Sequence, residues 1–355
     1  MIERLRRLQE KIQEHALEAV LITQPFNRQY LSGFDGTNGV LLVGWEQAFL
    51  ITDFRYREQA AQQAPHCEIR GWQDELPQSL APILAETGWQ QVGFEQKQVT
   101  YALFQDLSKV LTVELVPTEN LVEEMRMIKD QGELAVLRRG ASCLDQAFTH
   151  ILNCLKPGLT EQAVALELEI YLRRLGASAA AFEYIIASGE RGALPHGSAS
   201  AKALARGELV TMDFGAVFDG YATDMTRTVC LGEPDGRQRQ VYEIVRRAQD
   251  EAVRRIRPGM TGREADAPAR TIIEESGFGE QFGHGLGHGV GLETHEQPTL
   301  SPRGEIVLSP GMIVTVEPGV YIPGWGGVRI EDMVLITGEG TERLTLCSRD
   351  LITVA

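Results

Sequence analysis

Over the first 120 or so residues the hydrophobic pattern switches between two periods. Within residues 3–17, Leu5, Leu8 and Ile12 recur at helical spacing among Arg4, Arg6, Arg7, Glu10 and Lys11, which predicts an amphipathic surface helix. Ala19-Val20-Leu21-Ile22-Thr23 then predicts a strand. Val40-Leu41-Leu42-Val43 and Ala48-Phe49-Leu50-Ile51-Thr52 predict the arms of a hairpin around Gly44-Trp45-Glu46-Gln47. Strand and helix signals keep alternating to about Pro117, giving an α/β N-terminal domain. A charged helical run opens near Asp130. The boundary is placed within Asn120–Met127, dividing the chain into domains 1–122 and 123–355.

The second domain repeats itself. Val210-Thr211-Met212-Asp213-Phe214-Gly215 is echoed 104 residues later by Val314-Thr315-Val316-Glu317-Pro318-Gly319. Both runs are apolar and β-branched, end in glycine, and read as strands. Each leads to a second acid: Asp224 lies 11 residues after Asp213, and Glu331 lies 14 after Glu317. A second echo pairs Lys156-Pro157-Gly158-Leu159-Thr160 with Arg257-Pro258-Gly259-Met260-Thr261, each ahead of a helical run. Thr160 and Thr261 are predicted N-caps, because a threonine oxygen accepts from the free amides of the first turn. Two copies are too few for a solenoid. The prediction is one α+β domain of two related halves, with acids from both meeting at a pseudo-twofold axis.

Acids inside apolar strands are unfavourable unless paired, protonated or metal-bound, so four of them in register mark a site. Between the copies runs Phe282-Gly283-His284-Gly285-Leu286-Gly287-His288-Gly289-Val290-Gly291-Leu292-Glu293-Thr294-His295-Glu296. Each of its glycines would cost a helix roughly 1 kcal/mol relative to alanine, and no glutamate follows His284 as a helical zinc-protease motif requires. An extended segment is therefore expected, with one of its histidines completing the acidic set. Oxygen-rich ligands without a thiolate suit Mn²⁺, Co²⁺, Fe²⁺ or Mg²⁺ better than structural zinc. Four negative charges exceed one dication by two, so two ions are expected. Two metals about 3.5–4 Å apart can hold a bridging water, lower its pKa and stabilise the oxyanion formed when it attacks a carbonyl. The predicted reaction class is metal-assisted hydrolysis. Asp213-Phe214-Gly215 matches a kinase tripeptide, but neither a kinase catalytic loop nor a Walker-type lysine motif accompanies it, which excludes phosphoryl transfer.

These residues resemble, position by position, the metallopeptidase family of methionine aminopeptidase, prolidase and aminopeptidase P, which share the pita-bread fold. The resemblance implies that Asp213, Asp224, His288, Glu317 and Glu331 hold two divalent ions, Mn²⁺ first, with Co²⁺, Fe²⁺ or Zn²⁺ as alternatives. Asp224 and Glu331 would bridge the ions, His288 would cap one, and Glu317 would also carry the proton from the attacking water towards the leaving amine. It further implies that His196, in Leu194-Pro195-His196-Gly197, helps hold substrate and that His295 stabilises the tetrahedral intermediate. His284, Tyr321 and Arg329 match substrate-pocket positions of the proline-specific branch. Simpler readings stand beside these: Arg329 could neutralise Glu331 or Asp332, and Tyr321 could be a core aromatic. Leu31-Ser32-Gly33-Phe34 and Thr52-Asp53-Phe54-Arg55-Tyr56 resemble a creatinase-type N-terminal domain, which methionine aminopeptidases lack, and so favour that branch.

The implied activity is removal of the N-terminal residue from peptides with proline in second position, an Xaa-Pro aminopeptidase. The alternative is an Xaa-Pro dipeptidase, or prolidase, restricted to dipeptides. The scissile bond involves a tertiary amide without an N–H, so a pocket shaped to the ring is required. A dipeptidase must also recognise the proline carboxylate, a task suited to arginine. Some similar microbial prolidases carry His-Glu-x-Pro-Arg, whereas this chain reads His295-Glu296-Gln297-Pro298-Thr299, which favours the aminopeptidase. A metal-free binding protein on the same scaffold, or a creatinase-like amidinohydrolase, would not need all five ligands.

Composition changes the picture little. At 355 residues and 43% hydrophobic, the chain can build two cores. A net charge of −15 argues against a nucleic-acid partner, whose phosphates demand a basic face, and gives no support for anionic membranes. No stretch reaches the ~18 apolar residues of a membrane span, and the N-terminus lacks a signal-peptide core. Cys67, Cys143, Cys154, Cys230 and Cys347 are scattered without a Cys-x-x-Cys, as expected of free thiols in a cytoplasmic protein. A homodimer is expected from the resemblance.

Overall fold

The computed structural model describes residues 1–354, which fall into two compact units, Met1–Arg126 and Met127–Ala355. The first is an α/β unit around a six-stranded mixed sheet. Its strands are β1 (Ala19–Ile22), β2 (Val40–Gly44), β3 (Ala48–Thr52), β4 (Glu68–Gly71), β5 (Gln91–Glu95) and β6 (Glu114–Thr118), in spatial order 4-3-2-1-5-6. The predicted hairpin is present, with Leu41 opposite Leu50. Every residue of β1 is buried, as for a strand covered on both faces. Helices α1 (Ile2–Glu14), α2 (Pro25–Ser32), α3 (Arg57–Gln63), α4 (Leu76–Thr87) and α5 (Tyr101–Val110) intervene, and α6 (Glu123–Met127) leads onward. α1 buries Leu5, Leu8 and Ile12 as its periodicity predicts. It also buries Arg4, whose guanidinium lies 4.1 Å from the centre of the Tyr30 ring and donates to the Tyr30 carbonyl at 3.1 Å.

The second unit shows the duplication in three dimensions. Its first half holds α7 (Gln131–Leu152), α8 (Glu161–Arg174), β7 (Ala179–Ala180), β8 (Ile185–Ser188), β9 (Leu209–Phe214), β10 (Ala216–Phe218), β11 (Tyr221–Ala222) and β12 (Met225–Leu231). Its second half holds α9 (Gly236–Arg255), α10 (Gly262–Glu275), β13 (Gly287–Gly289), β14 (Glu296–Leu300), β15 (Ile313–Val316), β16 (Gly319–Ile322), β17 (Gly326–Arg329), β18 (Asp332–Ile336) and β19 (Thr341–Arg343); β20 (Thr353–Val354) returns to pair with β12. Each half sets two helices against a sheet that is antiparallel apart from the parallel β12–β20 edge, and each has its own core. Phe148, Leu168, Ile186, Met212 and Phe214 fill one; Val245, Ile273, Leu286, Val314 and Val334 fill the other.

The Pro-Gly-x-Thr turns superimpose in function. Gly158 and Gly259 adopt φ of +88° and +90°, where a Cβ would strain the backbone. Their amides donate to the carbonyls of Leu204 and Leu308, both at 2.8 Å. Thr160 and Thr261 then accept from Ala163 and Glu264 as N-caps, both at 3.2 Å. The halves join along β12: the Glu331 amide donates to the Thr226 carbonyl at 3.1 Å, and the Thr228 hydroxyl bonds the backbone of Arg329. No helix among the described residues is long and apolar enough to cross a membrane.

Candidate active site and metal centre

Strand alternation explains why the acids converge. On β9, Val210, Met212 and Phe214 pack into the first core, which turns Thr211 and Asp213 to the opposite face. Asp213 pairs in register with Thr226 of β12, two residues beyond Asp224. In the second half, Glu317 follows β15 directly, and Glu331 sits between β17 and β18. A cavity of about 520 Å³ opens over these strand ends, and all ten residues singled out in the sequence line it: Asp213, Asp224, His288, Glu317, Glu331, His196, His284, His295, Tyr321 and Arg329. Thr299 and Ser301 line it too.

The acids are buried and short of partners. Asp224 is 4% exposed and Glu331 1%. Burial pushes both carboxyls well above their ordinary range, and the negative charge of neighbouring acids, Glu331 and Glu317 respectively among them, pushes them further. Glu317 is raised as well, by burial first. One oxygen of Asp224 and one of Asp213 (Oδ1 in each) are buried with no hydrogen-bond partner. The other Asp213 oxygen accepts from Arg329 Nη2 at 2.6 Å. Glu331 accepts from the Thr226 hydroxyl at 2.6 Å, and Glu317 from the Thr315 hydroxyl at 3.0 Å.

His288 faces this cluster in a telling tautomer. Its Nδ1 lies 3.1 Å from the Gly289 carbonyl, so Nδ1 carries the proton and Nε2 presents a lone pair. That Nε2 lies 3.6 Å from Asp224 Oδ2 and 3.4 Å from Glu317 Oε1. Burial lowers the His288 pKa, which keeps the ring neutral. A lone pair aimed at carboxylates, beside two orphaned carboxylate oxygens, is an arrangement suited to a cation. Ligand atoms of Asp224, His288 and Glu331 all lie within 4.8 Å of one another. The residues present therefore fit divalent metal.

Arg329 is committed. Its guanidinium donates to Asp213, to the Tyr321 hydroxyl at 2.8 Å, to the Pro195 carbonyl at 3.1 Å and to Thr226 Oγ1 at 3.1 Å. Burial opposes its charge, but Tyr321, Asp213 and Glu317 outweigh burial and hold the guanidinium protonated. The reading of Arg329 as counter-ion to Glu331 or Asp332 is thus corrected: its acid is Asp213, and Asp332 belongs to Arg227 at 2.6 Å. Tyr321 is buried yet lines the cavity, its hydroxyl pushed up to about 12 chiefly by burial. That hydroxyl also lies 3.0 Å from His284 Nε2. Because His284 Nδ1 donates to the Gly285 carbonyl at 2.7 Å, its Nε2 must accept, and the Tyr321 proton is spent on it. The rings of His288 and His295 are 4.3 Å apart, and burial lowers the pKa of His295.

Thr226 and Thr315 were missed in the sequence. Each stands two residues from an acid, Asp224 or Glu317, at the end of its strand, and that period-two spacing was the available signal. Arg227 was missed with no comparable signal, since its partner Asp332 is 105 residues away.

Comparison with known proteins places the chain in a family. Residues 135–338 match the model of metallopeptidase family M24, and residues 4–128 match the creatinase/prolidase N-terminal domain. The chain belongs to metallopeptidase family M24, and it is a metallo-exopeptidase with the pita-bread fold. A solved Xaa-Pro dipeptidase from Bacillus anthracis is 45% identical over 99% of both chains, with a TM-score of 0.97. The prolidase of Pyrococcus horikoshii OT3 is 38% identical over 99% of this chain and 100% of that one, with a TM-score of 0.93. An X-Pro aminopeptidase from Thermotoga maritima MSB8 is 36% identical over 99% of both chains, also at 0.93.

Proposed function

We propose that this protein is a metal-dependent Xaa-Pro dipeptidase, a prolidase. The observation that carries the metal-dependent part is the His288 lone pair turned onto the carboxylates of Asp224 and Glu317, beside buried carboxylate oxygens without a hydrogen-bond partner. The dipeptidase part rests on the full-length likeness to the Bacillus anthracis and Pyrococcus horikoshii enzymes. Asp213, Asp224, His288, Glu317 and Glu331 would hold two divalent ions, Mn²⁺ first. Bound there, the ions supply activation of water and polarisation of the scissile carbonyl.

The remaining work falls to the protein's own side chains. Glu317, its pKa raised by burial, is suited to take the proton of the attacking water and hand it to the prolyl nitrogen as the bond breaks. His295, half-buried beside His288, is placed to hydrogen-bond the tetrahedral oxyanion. His196, which also lines the cavity, holds substrate. Arg329 fixes Asp213 so that its free oxygen faces the centre. Tyr321 and His284, whose polar atoms satisfy each other, form a wall suited to a proline ring, which offers no N–H to bind.

A second reading, the Xaa-Pro aminopeptidase, is favoured by one observation. Arg329 already donates from all three of its nitrogens, to Thr226, Pro195, Tyr321 and Asp213, and Thr299 stands where some prolidases carry arginine, so among the described residues no uncommitted guanidinium lines the cavity to receive a dipeptide's carboxylate. Hydrolysis of Ala-Pro and Ala-Pro-Ala by the Mn²⁺-loaded protein separates the two. Cleavage of the dipeptide alone establishes the dipeptidase. Release of alanine from the tripeptide establishes the aminopeptidase, and hydrolysis of neither removes the proline specificity altogether.

A further inference from the structure

A second group of metal-ligating side chains lies in the first half of the catalytic unit, on the outer helices. His150 is in the last turn of α7, Cys154 follows it by four residues in the turn beyond, and Glu167 comes from α8. The spacing of four places His150 and Cys154 on one face. His150 Nε2 lies 2.6 Å from Glu167 Oε1 and 3.7 Å from Cys154 Sγ, and the three ligand atoms all lie within 4.8 Å of one another. The imidazole is held in plane by Tyr171, one turn beyond Glu167 on α8, whose ring stacks on it at 4.0 Å and 10°. All three residues are partly exposed, so a cation can reach them from solvent.

We propose that His150, Cys154 and Glu167 form a separate site for a thiophilic divalent cation of the zinc type, pinning the end of α7 to α8. The chemistry differs from that of the acidic centre. Imidazole, thiolate and carboxylate are a zinc ligand set, and the two anions neutralise one dication without excess charge. In a tetrahedral zinc site the S–N edge is about 3.5 Å and the N–O edge about 3.4 Å. The first is already met by the Cys154–His150 distance. The second needs Glu167 to withdraw by about 0.8 Å as the ion replaces the proton between Nε2 and the carboxylate. The fourth position faces solvent and takes a water.

The Cys154 thiol also donates to the His150 carbonyl at 3.6 Å, which holds its sulfur against the same nitrogen that meets Glu167. The remaining cysteines are buried, apart from Cys347, which lies 3.3 Å from Met225 Sδ.

Cobalt reads this site selectively, because the acidic centre has no thiolate. Titrating the metal-free, full-length protein with Co²⁺ should develop a near-ultraviolet thiolate-to-cobalt charge-transfer band that Zn²⁺ then abolishes. Cys154→Ser should lose that band and bind one equivalent fewer, while its Xaa-Pro hydrolysis equals that of the wild type. His150→Ala should weaken the band. Absence of the band in the wild-type protein overturns the proposal without recourse to a variant. So does a band that survives in Cys154→Ser, or equal metal uptake by the two proteins.

Discussion

Glu331 and Asp332 are adjacent carboxylates, 1% and 0% exposed, and they end in opposite electrostatic states. Strand alternation sends them to opposite faces. Asp332 points to the back of the sheet, where Arg227 pairs with it at 2.6 Å, Gln249 and Thr345 donate at 2.8 and 2.9 Å, and Arg343 and Arg349 lie within 3.7 Å. Burial alone would raise its pKa, but these cations outweigh burial and lower it. Glu331 points to the front, where the Thr226 hydroxyl is its side-chain donor and its other neighbours include acids, and its pKa is raised. The contrast separates a structural buried acid from a functional one. The first brings its cations in the fold, and the second is left for a cation from solution.

The most severe break comes from the front face. Asp224→Asn should remove turnover to below detection and metal with it, while the metal-free variant melts higher than metal-free wild type because one buried like-charge repulsion is gone. Metal analysis, peptide hydrolysis and thermal melts check this, and full activity would end the dinuclear assignment.

On the back face the sign reverses. Arg227→Met leaves Asp332 without its chief partner and should destabilise the catalytic unit by about 3–5 kcal/mol, the usual result of breaking a buried pair. Urea unfolding of the metal-free protein measures it. A loss under about 1 kcal/mol would mean that Arg343 and Arg349 suffice.

His295→Ala should lower kcat by roughly 10²–10³ with metal content unchanged, as loss of an oxyanion-stabilising donor does. A change confined to KM would assign His295 to substrate binding instead.

The same contrast is tested by pH. Asp224, Glu317 and Glu331 have raised pKa values in the folded state, so their contribution is fully present below the ordinary carboxylate range and is lost as pH rises through the raised values. Asp332 is lowered, so its contribution is present above that range and is lost on acidification. The metal-free protein should therefore lose stability as pH rises, by about 1.4 kcal/mol per pH unit for each front-face group that stays protonated in the fold while it ionises in the unfolded chain. Added Mn²⁺ should flatten the trend, as should Asp224→Asn. Thermal melts in chelator across pH would show it, and a flat wild-type profile would contradict the unpaired state of these acids.

Much of this was legible along the chain. The paired Pro-Gly-x-Thr turns and the two acid-bearing strands announced the duplication, and all ten chosen residues line one cavity. Thr226 and Thr315 were within reach of the same period-two argument. Arg227 and the true partner of Arg329 were not. Choosing between dipeptide and longer substrates also lay beyond the sequence, because it depends on which cationic groups in the cavity remain uncommitted.

The sequence by itself determined the chemistry. Acids repeated on β-branched, apolar strands must be buried, and a hard, thiol-free ligand set limits the cations that can balance them. Only the tertiary structure decided which buried acids are balanced by the protein and which are not. Thr226 and Arg227 are adjacent on β12, yet one meets Glu331 and the other Asp332, each 105 residues away. Such pairings depend on how the two halves dock and on which face each side chain occupies, and neither is written in local periodicity.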